Sequence, residues 1–479
     1  VFAAALAFAT PRTLDQTTPR ELTLWGLHGI TALDASISAD LKSDRLVLSM
    51  AGMPPKILTS LPVPKPDDAQ AWGATAAALE HEAFEHSPVL RQAGGQALIQ
   101  SFFDEMFNHL DPYSRYVPPV PAEEERDRLS VDAGAGVGLV RRGHLVVVSD
   151  LVPGGPGEAA GLRVGDRILA VGGRRVSGGD PNAVLARLSG PEGSEMSVTV
   201  RGLDGQVRRI PLTLEAVPPE TVFASRSGDM LVIRMTSFTS NTAERLSQAI
   251  EAGLSVSPSP AGITVDLRGN RGGLLRQAVT SVALFADHGV IASTAGRNPE
   301  ATHDWRIEGG DLTHGLPVVL LVDGRTASAA EIMAAALADL GRGVVVGSAT
   351  LGKGLVQTIT RLPDGGEVFV TWSRVLAPLG WPLQALGVFP QVCTSRGEAE
   401  TMHELADLAD GRQDLAAAIA ASRAARPPLP VAQAIEIRAN CPAAEGRDTD
   451  LLAAKFLIDH PDAYRTALIA SPKPLITGN

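Results

Sequence analysis

The hydrophobic pattern changes period twice along the chain. Residues 1–60 and 70–128 carry apolar positions at helical spacing and predict amphipathic helices, parted by the proline-rich Leu61-Pro62-Val63-Pro64-Lys65-Pro66. Two helical stretches there end alike, Ala32-Leu33-Asp34 and His109-Leu110-Asp111, which suggests a faint internal repeat. From about 133 the period shortens. Apolar runs at 136–140, 145–148, 167–171, 197–200 and 210–214, with helical pieces at 156–160 and 181–188, predict a small β-rich domain over 130–215.

From 216 apolar strands alternate with helices. Strands are expected at 231–235, 262–267, 317–322 and 343–346, with helices at 242–253, at 274–286 and after Ser328. That alternation reads as an α/β layer over 216–392. A helical extension over 393–479 follows, with a further proline-rich linker at 424–430 inside it. The fold class expected is multidomain α+β: an N-terminal helical region (1–128), the small β-rich domain, the α/β core and the extension.

Composition supports that division. A chain of 479 residues is too long for one ordinary core, so two to four domains are expected. A net charge of −11 argues against nucleic acid or an anionic membrane as the main partner. No apolar run reaches the 18 residues of a membrane span. The opening Val1-Phe2-Ala3-Ala4-Ala5-Leu6-Ala7-Phe8-Ala9-Thr10 reads either as the end of a secretory signal or as a clipped first helix. In an exported protein the two cysteines, Cys393 and Cys441, could pair as a disulfide; the alternative is two unrelated thiols.

Two short segments carry candidate chemistry. Thr326-Ala327-Ser328-Ala329-Ala330-Glu331 puts a serine where a strand gives way to an Ala-rich helix. It also fits S-x-x-E, a capping box, and taken alone that reading prevails. Yet a serine at a helix N-cap sits beside an unsatisfied N–H and the positive end of the helix dipole. Gly352-Lys353-Gly354-Leu355-Val356-Gln357 puts a lysine in a glycine turn. Gly347 to Lys353 matches the phosphate-loop spacing, but Gly354 replaces the Ser or Thr that holds magnesium, and a strand pattern follows where a helix is needed. Gly134 to Gly138 lacks the βαβ unit of a dinucleotide site, and His81 and His86 are five apart, off the spacing of a helical zinc pair.

Together these residues resemble the carboxy-terminal processing (tail-specific) proteases, serine peptidases with a Ser–Lys dyad and an embedded PDZ domain. The two segments above match that family's serine and lysine motifs, and their distance agrees. Asp266-Leu267-Arg268-Gly269-Asn270-Arg271-Gly272-Gly273 resembles its glycine turn. The run from Pro153 to Asp166 and the loop Gly136-Val137-Gly138-Leu139 resemble its PDZ motifs, and Leu110-Asp111-Pro112-Tyr113-Ser114 the segment before them. The likeness covers about 97–392. Arg271 stands where a proline is usual, Leu355 replaces a small residue, and Gln391 stands where an Asp is common.

The resemblance implies that 130–215 is a PDZ domain and 216–392 a protease core, completed by the segment before the PDZ domain. Ser328 would be the nucleophile, Lys353 the general base, and Gln357 a hydrogen-bond holder of the lysine amine. The oxyanion hole would combine the Ala329 amide with one from Gly272-Gly273, Gly272 being preferred. The lysine must be neutral to act as a base, so Glu331 should face elsewhere or bond to backbone. Gly136, Val137, Gly138 and Leu139 would hold the carboxylate of a peptide tail added as a β-strand. No cofactor or metal is called for. The implied partners are protein C-terminal tails, with an adaptor or regulatory protein and a homo-oligomer as further possibilities. The implied location is the periplasm or another exported compartment. The alternative is a silent PDZ-containing scaffold of the same fold.

Overall fold

The computed structural model describes residues 1–123, 133–152, 154–176, 179–215 and 220–469. The expected helix end at 128, the boundary at 130, Pro153 of the glycine-rich motif and the onset at 216 lie outside the described residues. The chain gathers into two units, Val1–Pro119 with Glu220–Asn479, and Val120–Pro219.

The N-terminal part of the first unit holds α1 (Phe2–Ala9), α2 (Pro19–Leu33), α3 (Ala69–His86), α4 (Pro88–Ala93) and α5 (Gly95–Asn108). Helix α2 starts with a full capping box: Glu21 N–H donates to Thr18 Oγ1 at 3.2 Å, and Thr18 N–H to Glu21 Oε2 at 2.8 Å. Helices α2 and α5 pack closely because Gly29 has no side chain to meet the Ser101 backbone. Each ends near an aspartate whose carboxylate accepts a backbone N–H two residues on: Ser36 to Asp34, and Tyr113 to Asp111.

This part is not purely helical, contrary to the expectation for 1–60. Strands β1 (Ile37–Lys42), β2 (Arg45–Met50) and β3 (Lys56–Pro62) form an antiparallel sheet in that order. The turn between β1 and β2 needs positive φ, and Ser43 supplies it at 56° where Asn or Gly would have announced a hairpin. A further strand, β4 (Arg115–Val117), pairs with a strand of the core described below.

The second unit carries β5 (Ala133–Gly134), β6 (Val137–Arg142), β7 (Leu145–Leu151), α6 (Pro156–Ala159), β8 (Arg167–Val171), β9 (Arg174–Arg175), α7 (Pro181–Arg187), β10 (Ser189–Gly190), β11 (Glu195–Arg201) and β12 (Val207–Thr213). The main sheet runs β12-β11-β8-β7-β6, leaving β6 at an edge beside α7. Buried Asp166 ties this unit together: it accepts Arg163 N–H at 3.0 Å and pairs with Arg208 at 2.8 Å.

The core of the first unit is built on β13 (Val222–Ser227), β14 (Met230–Met235), β15 (Gly262–Asp266), β18 (Val318–Val322), β19 (Val344–Gly347) and β22 (Val392–Cys393), in that spatial order. From β14 onward every pairing is parallel. Every residue of β15, β18 and β19 is buried, which is why β18 and β19 read as unbroken apolar runs. A second sheet runs β17 (His303–Glu308), β16 (His288–Ala295), β21 (Glu367–Leu376), β20 (Leu355–Arg361); β21 is the partner of β4.

Helices α8 (Thr242–Leu254), α9 (Leu275–Val282) and α10 (Ala329–Asp339) contribute to the hydrophobic cluster on one face of the parallel sheet. The extension supplies α11 (Glu398–Ala409), α12 (Ala416–Ala424), α13 (Val431–Ala439), α14 (Asp448–Asp459) and α15 (Pro461–Ile469). It does not stand apart from the core. Ile419 and Ile437 join the first face, while Leu405, Leu408, Leu457 and Tyr464 cover the other with Val319, Leu321, Val344 and Val346. The position 392/393 therefore marks no break in packing. The parallel strands need both faces covered, and the extension provides much of the second layer.

Candidate active site

Three parallel strands deliver the candidate residues. Loops after the carboxyl ends of β15, β18 and β19 carry Gly272-Gly273, Ser328 and Lys353 in turn. In open parallel sheets ligand sites form at that end.

The loop after β18 is held by its own short residues. Asp323 Oδ1 accepts the N–H groups of Gly269, Arg325 and Thr326 at 2.9–3.0 Å. Thr326 Oγ1 donates to Leu267 O at 2.9 Å, and Ala327 N–H to Asn270 O at 2.9 Å. Held this way, Ser328 adopts φ 57° and ψ −120°, a conformation disfavoured for any residue with a side chain. Such strain costs about 1–3 kcal/mol and gathers at functional sites. Helix α10 follows directly, entirely buried and rich in alanine.

Glu331 organises the centre. It is fully buried, and its Oε2 accepts both Ser328 N–H at 2.8 Å and Lys353 N–H at 2.9 Å. Its Oε1 accepts Gly352 N–H at 2.7 Å and the Thr350 hydroxyl. Burial pushes the carboxyl up from its ordinary value, and the four donors oppose that shift. Glu331 thus bonds to backbone, as the lysine chemistry requires, and one of its oxygens joins the serine turn to the lysine turn.

Ser328, Ala329, Lys353, Gln357 and Gly273 line one pocket of about 240 Å³, with Leu275, Ile332, Leu355, Val356 and Val375 as apolar walls. No hydrogen bond joins the Ser328 hydroxyl to the Lys353 amine. The amine lies 5.5 Å from the centre of the Tyr113 ring, a cation–π distance.

Two expectations are corrected here. Gln357 does not hold the lysine amine: its Nε2 donates to Thr371 Oγ1 at 3.2 Å, and Thr371 donates to Asp111 Oδ1 at 2.6 Å. That Nε2 bond follows from register, since Gln357 and Thr371 are cross-strand partners on β20 and β21. Gly272 does not offer a free amide, because its N–H donates to Asn270 Oδ1 at 2.8 Å. The N–H groups of Gly273 and Ala329 have no partner among the described residues and belong to pocket-lining residues. Gly272 is still required: at φ 95°, a Cβ there would fall 2.8 Å from Ala327 O and from Ser328 Cβ.

Sequence reasoning missed the orienting role of Asn270, although the residue lay inside the glycine-turn motif. Its side chain donates to Met235 O at 2.9 Å and accepts from Gly272. Asp111 and Ser114 were noted only as motif letters; they bond each other and receive Thr371 behind Gln357.

In the second unit, Gly136 has φ 61° and its carbonyl accepts Val152 N–H at 2.9 Å. Val137, Gly138 and Leu139 open edge strand β6, facing Leu151, Asp150 and Val148 on β7. A Cβ on Gly138 would fall 2.0 Å from Asp150 Oδ2. Cys393 and Cys441 form a disulfide with Cα atoms 5.8 Å apart.

A PDZ domain carried with a strained serine turn on a parallel α/β core defines a class, and comparison with known proteins agrees. Residues 229–394 match the model of peptidase family S41, and residues 147–202 that of a PDZ domain. The carboxy-terminal-processing protease of Bartonella bacilliformis is 32% identical over 62% of this chain and 69% of its own. The carboxyl-terminal-processing protease of Picosynechococcus sp. is 31% identical over 67% and 81%. CtpA of Bacillus subtilis is 32% identical over 59% of this chain and 60% of its own length. The solved photosystem II D1 C-terminal processing protease aligns over 77% of this chain and 92% of its own, at 27% identity and a TM-score of 0.39. The chain belongs to the carboxy-terminal processing proteases of peptidase family S41.

Proposed function

We propose that the protein is a serine endopeptidase that cleaves proteins near their C-termini. Ser328 attacks the scissile carbonyl and neutral Lys353 takes its hydroxyl proton. The negative oxygen of the tetrahedral intermediate is received by the Ala329 and Gly273 N–H groups, beside the N-terminus of α10. The lysine ammonium then protonates the leaving amine, and water releases the acyl group by the same steps in reverse order. The tail is first captured as an added strand on β6, its carboxylate on the 136–139 loop.

The observation that carries this reading is the link through Glu331 Oε2, which bonds to the backbones of both dyad residues beside one pocket. The amine must leave Tyr113 and turn toward Ser328, a tightening expected when substrate binds. An exported setting in the cell envelope accords with the Cys393–Cys441 bridge, since such bonds persist in oxidising compartments. The competing reading, a silent scaffold, takes its support from the absent Ser328–Lys353 hydrogen bond.

The test uses a reporter protein ending in an unstructured apolar tail, with C-termini read by mass spectrometry. Wild type should trim it, and Ser328→Ala and Lys353→Ala should trim it roughly 10⁴-fold more slowly or worse. Trimming at the wild-type rate by Lys353→Ala would remove the dyad assignment. A wild type that binds the tail and never trims it would favour the scaffold.

A further inference from the structure

The lysine turn has a support that lies outside the stretch matched to the S41 family. Arg438, on α13, donates from one terminal nitrogen to two carbonyls, Thr350 O at 2.8 Å and Leu386 O at 2.7 Å. Thr350 begins the turn that ends at Lys353, and Leu386 belongs to the loop on which that turn rests. Ala385 N–H donates to Gly352 O at 3.0 Å, and Gly354 N–H to Gln384 Oε1 at 3.0 Å. Thr350 is gripped on every polar atom. Its hydroxyl donates to Glu331 and accepts Val388 N–H at 2.7 Å, its N–H donates to Val388 O at 3.2 Å, and its carbonyl accepts Arg438.

Arg438 is itself fixed. Ile437, next to it, is buried in the core, and Cys441 N–H donates to Arg438 O at 3.0 Å. Cys441 is bonded to Cys393 on β22, and β22 pairs with β19, the strand that leads into the lysine turn. The space around the guanidinium is already closed, since a Cβ on Gly387 would fall 2.8 Å from the same Arg438 nitrogen.

We infer that Arg438 is a positioning residue for Lys353: the C-terminal extension, stapled to the core at Cys393–Cys441, clamps the turn that presents the proposed base. This rests on the reading of Lys353 given above. Arg438 touches neither the pocket nor Ser328, so its effect falls on turnover and not on tail capture. A clamp on two carbonyls sets where the turn sits, and displacement of a reacting group by about 1 Å can cost on the order of 10²-fold in rate.

The experiment compares full-length wild type, Arg438→Ala and Arg438→Met, the last keeping the stem's volume while removing its donors. Two readouts are taken: kcat and KM on the tailed reporter, and amide hydrogen exchange at Gly352 and Lys353. Expected are a fall in kcat of roughly 10- to 100-fold with KM within about twofold, and faster exchange at 352 and 353 with the segment 326–329 unchanged. Arg438→Met with wild-type exchange at 352 and 353, or with its loss carried by KM, would overturn the inference. The exchange readout does not require catalysis. A wild type that fails to cleave would therefore strike the proposed function, while the clamp would still be decided by the exchange.

Discussion

Ser328 and Lys353 end two neighbouring loops that are held in different ways. The serine loop is fixed mainly by Asp323, Thr326 and Asn270, with the extension reaching it through Gly324 N–H to Ala444 O at 2.7 Å and Gly446 N–H to Asp323 Oδ2 at 3.3 Å, and its backbone is strained. The lysine turn is unremarkable in itself, with Gly352 at φ 86° providing the bend. It is fixed from outside, by Glu331 of α10, by the 383–388 loop and by Arg438, 88 residues after Thr350. The proposed nucleophile is held in a strained backbone conformation, and the turn of the proposed base by groups outside it. A long-range clamp can be loosened without unfolding the loop it holds, so on the proposed function the lysine turn is expected to respond to changes in the extension.

Among the described residues Glu331 is the one side chain that accepts backbone N–H groups from both loops, and replacing it should give the larger effect. Glu331→Gln puts an NH₂ where an oxygen now accepts two N–H groups, leaving buried donors facing each other. A fall in kcat/KM of about 10²- to 10³-fold is expected, with a lower melting temperature, each lost buried bond costing about 1–3 kcal/mol. A variant with wild-type rate and stability would mean that the two loops do not depend on a shared carboxylate.

A smaller effect, confined to stability, is expected far from both loops. Glu80 is buried on the inner face of α3, and burial pushes its carboxyl up to about 8. A carboxyl raised in the folded state contributes most below its unfolded value of 4.5 and loses that contribution as pH rises through about 8. Glu80→Gln should therefore gain stability relative to wild type above pH 8, by about 2–4 kcal/mol, and leave kcat unchanged. Denaturation at pH 5 and pH 9 measures this. An equal difference at both values would place the cause elsewhere.

What could be read from the sequence followed the same division. The serine loop is local, so Thr326 to Glu331 and Asp266 to Gly273 announced it in their letters, and the strand–helix alternation around it was legible. Lys353 was legible as a glycine-flanked turn, but its support was not, because Arg438 reaches Thr350 only through the folded extension. The choice between Gly272 and Gly273 depended on which amide the Asn270 side chain takes, which spacing does not reveal. Strands β1 and β2 escaped because their turn uses Ser43 at positive φ, without the glycine or asparagine that marks such hairpins, while Gly52, Pro54 and Pro55 between β2 and β3 were turn signals that a helical reading of 1–60 overrode. The layer formed by α11, α14 and α15 looked like a separate tail because its partner surface, the second face of the sheet, is assembled from strands scattered between Met230 and Val392.

The central claim is that Lys353 activates Ser328, and covalent labelling tests it without knowledge of the natural substrate. A fluorophosphonate is reacted with wild type and with Lys353→Ala, and the modified residue and rate are read by mass spectrometry. The predicted result is modification of wild type at Ser328, with Lys353→Ala labelled on the order of 10³-fold more slowly. Labelling of both proteins at Ser328 at the same rate, or no labelling of wild type at Ser328, would contradict it.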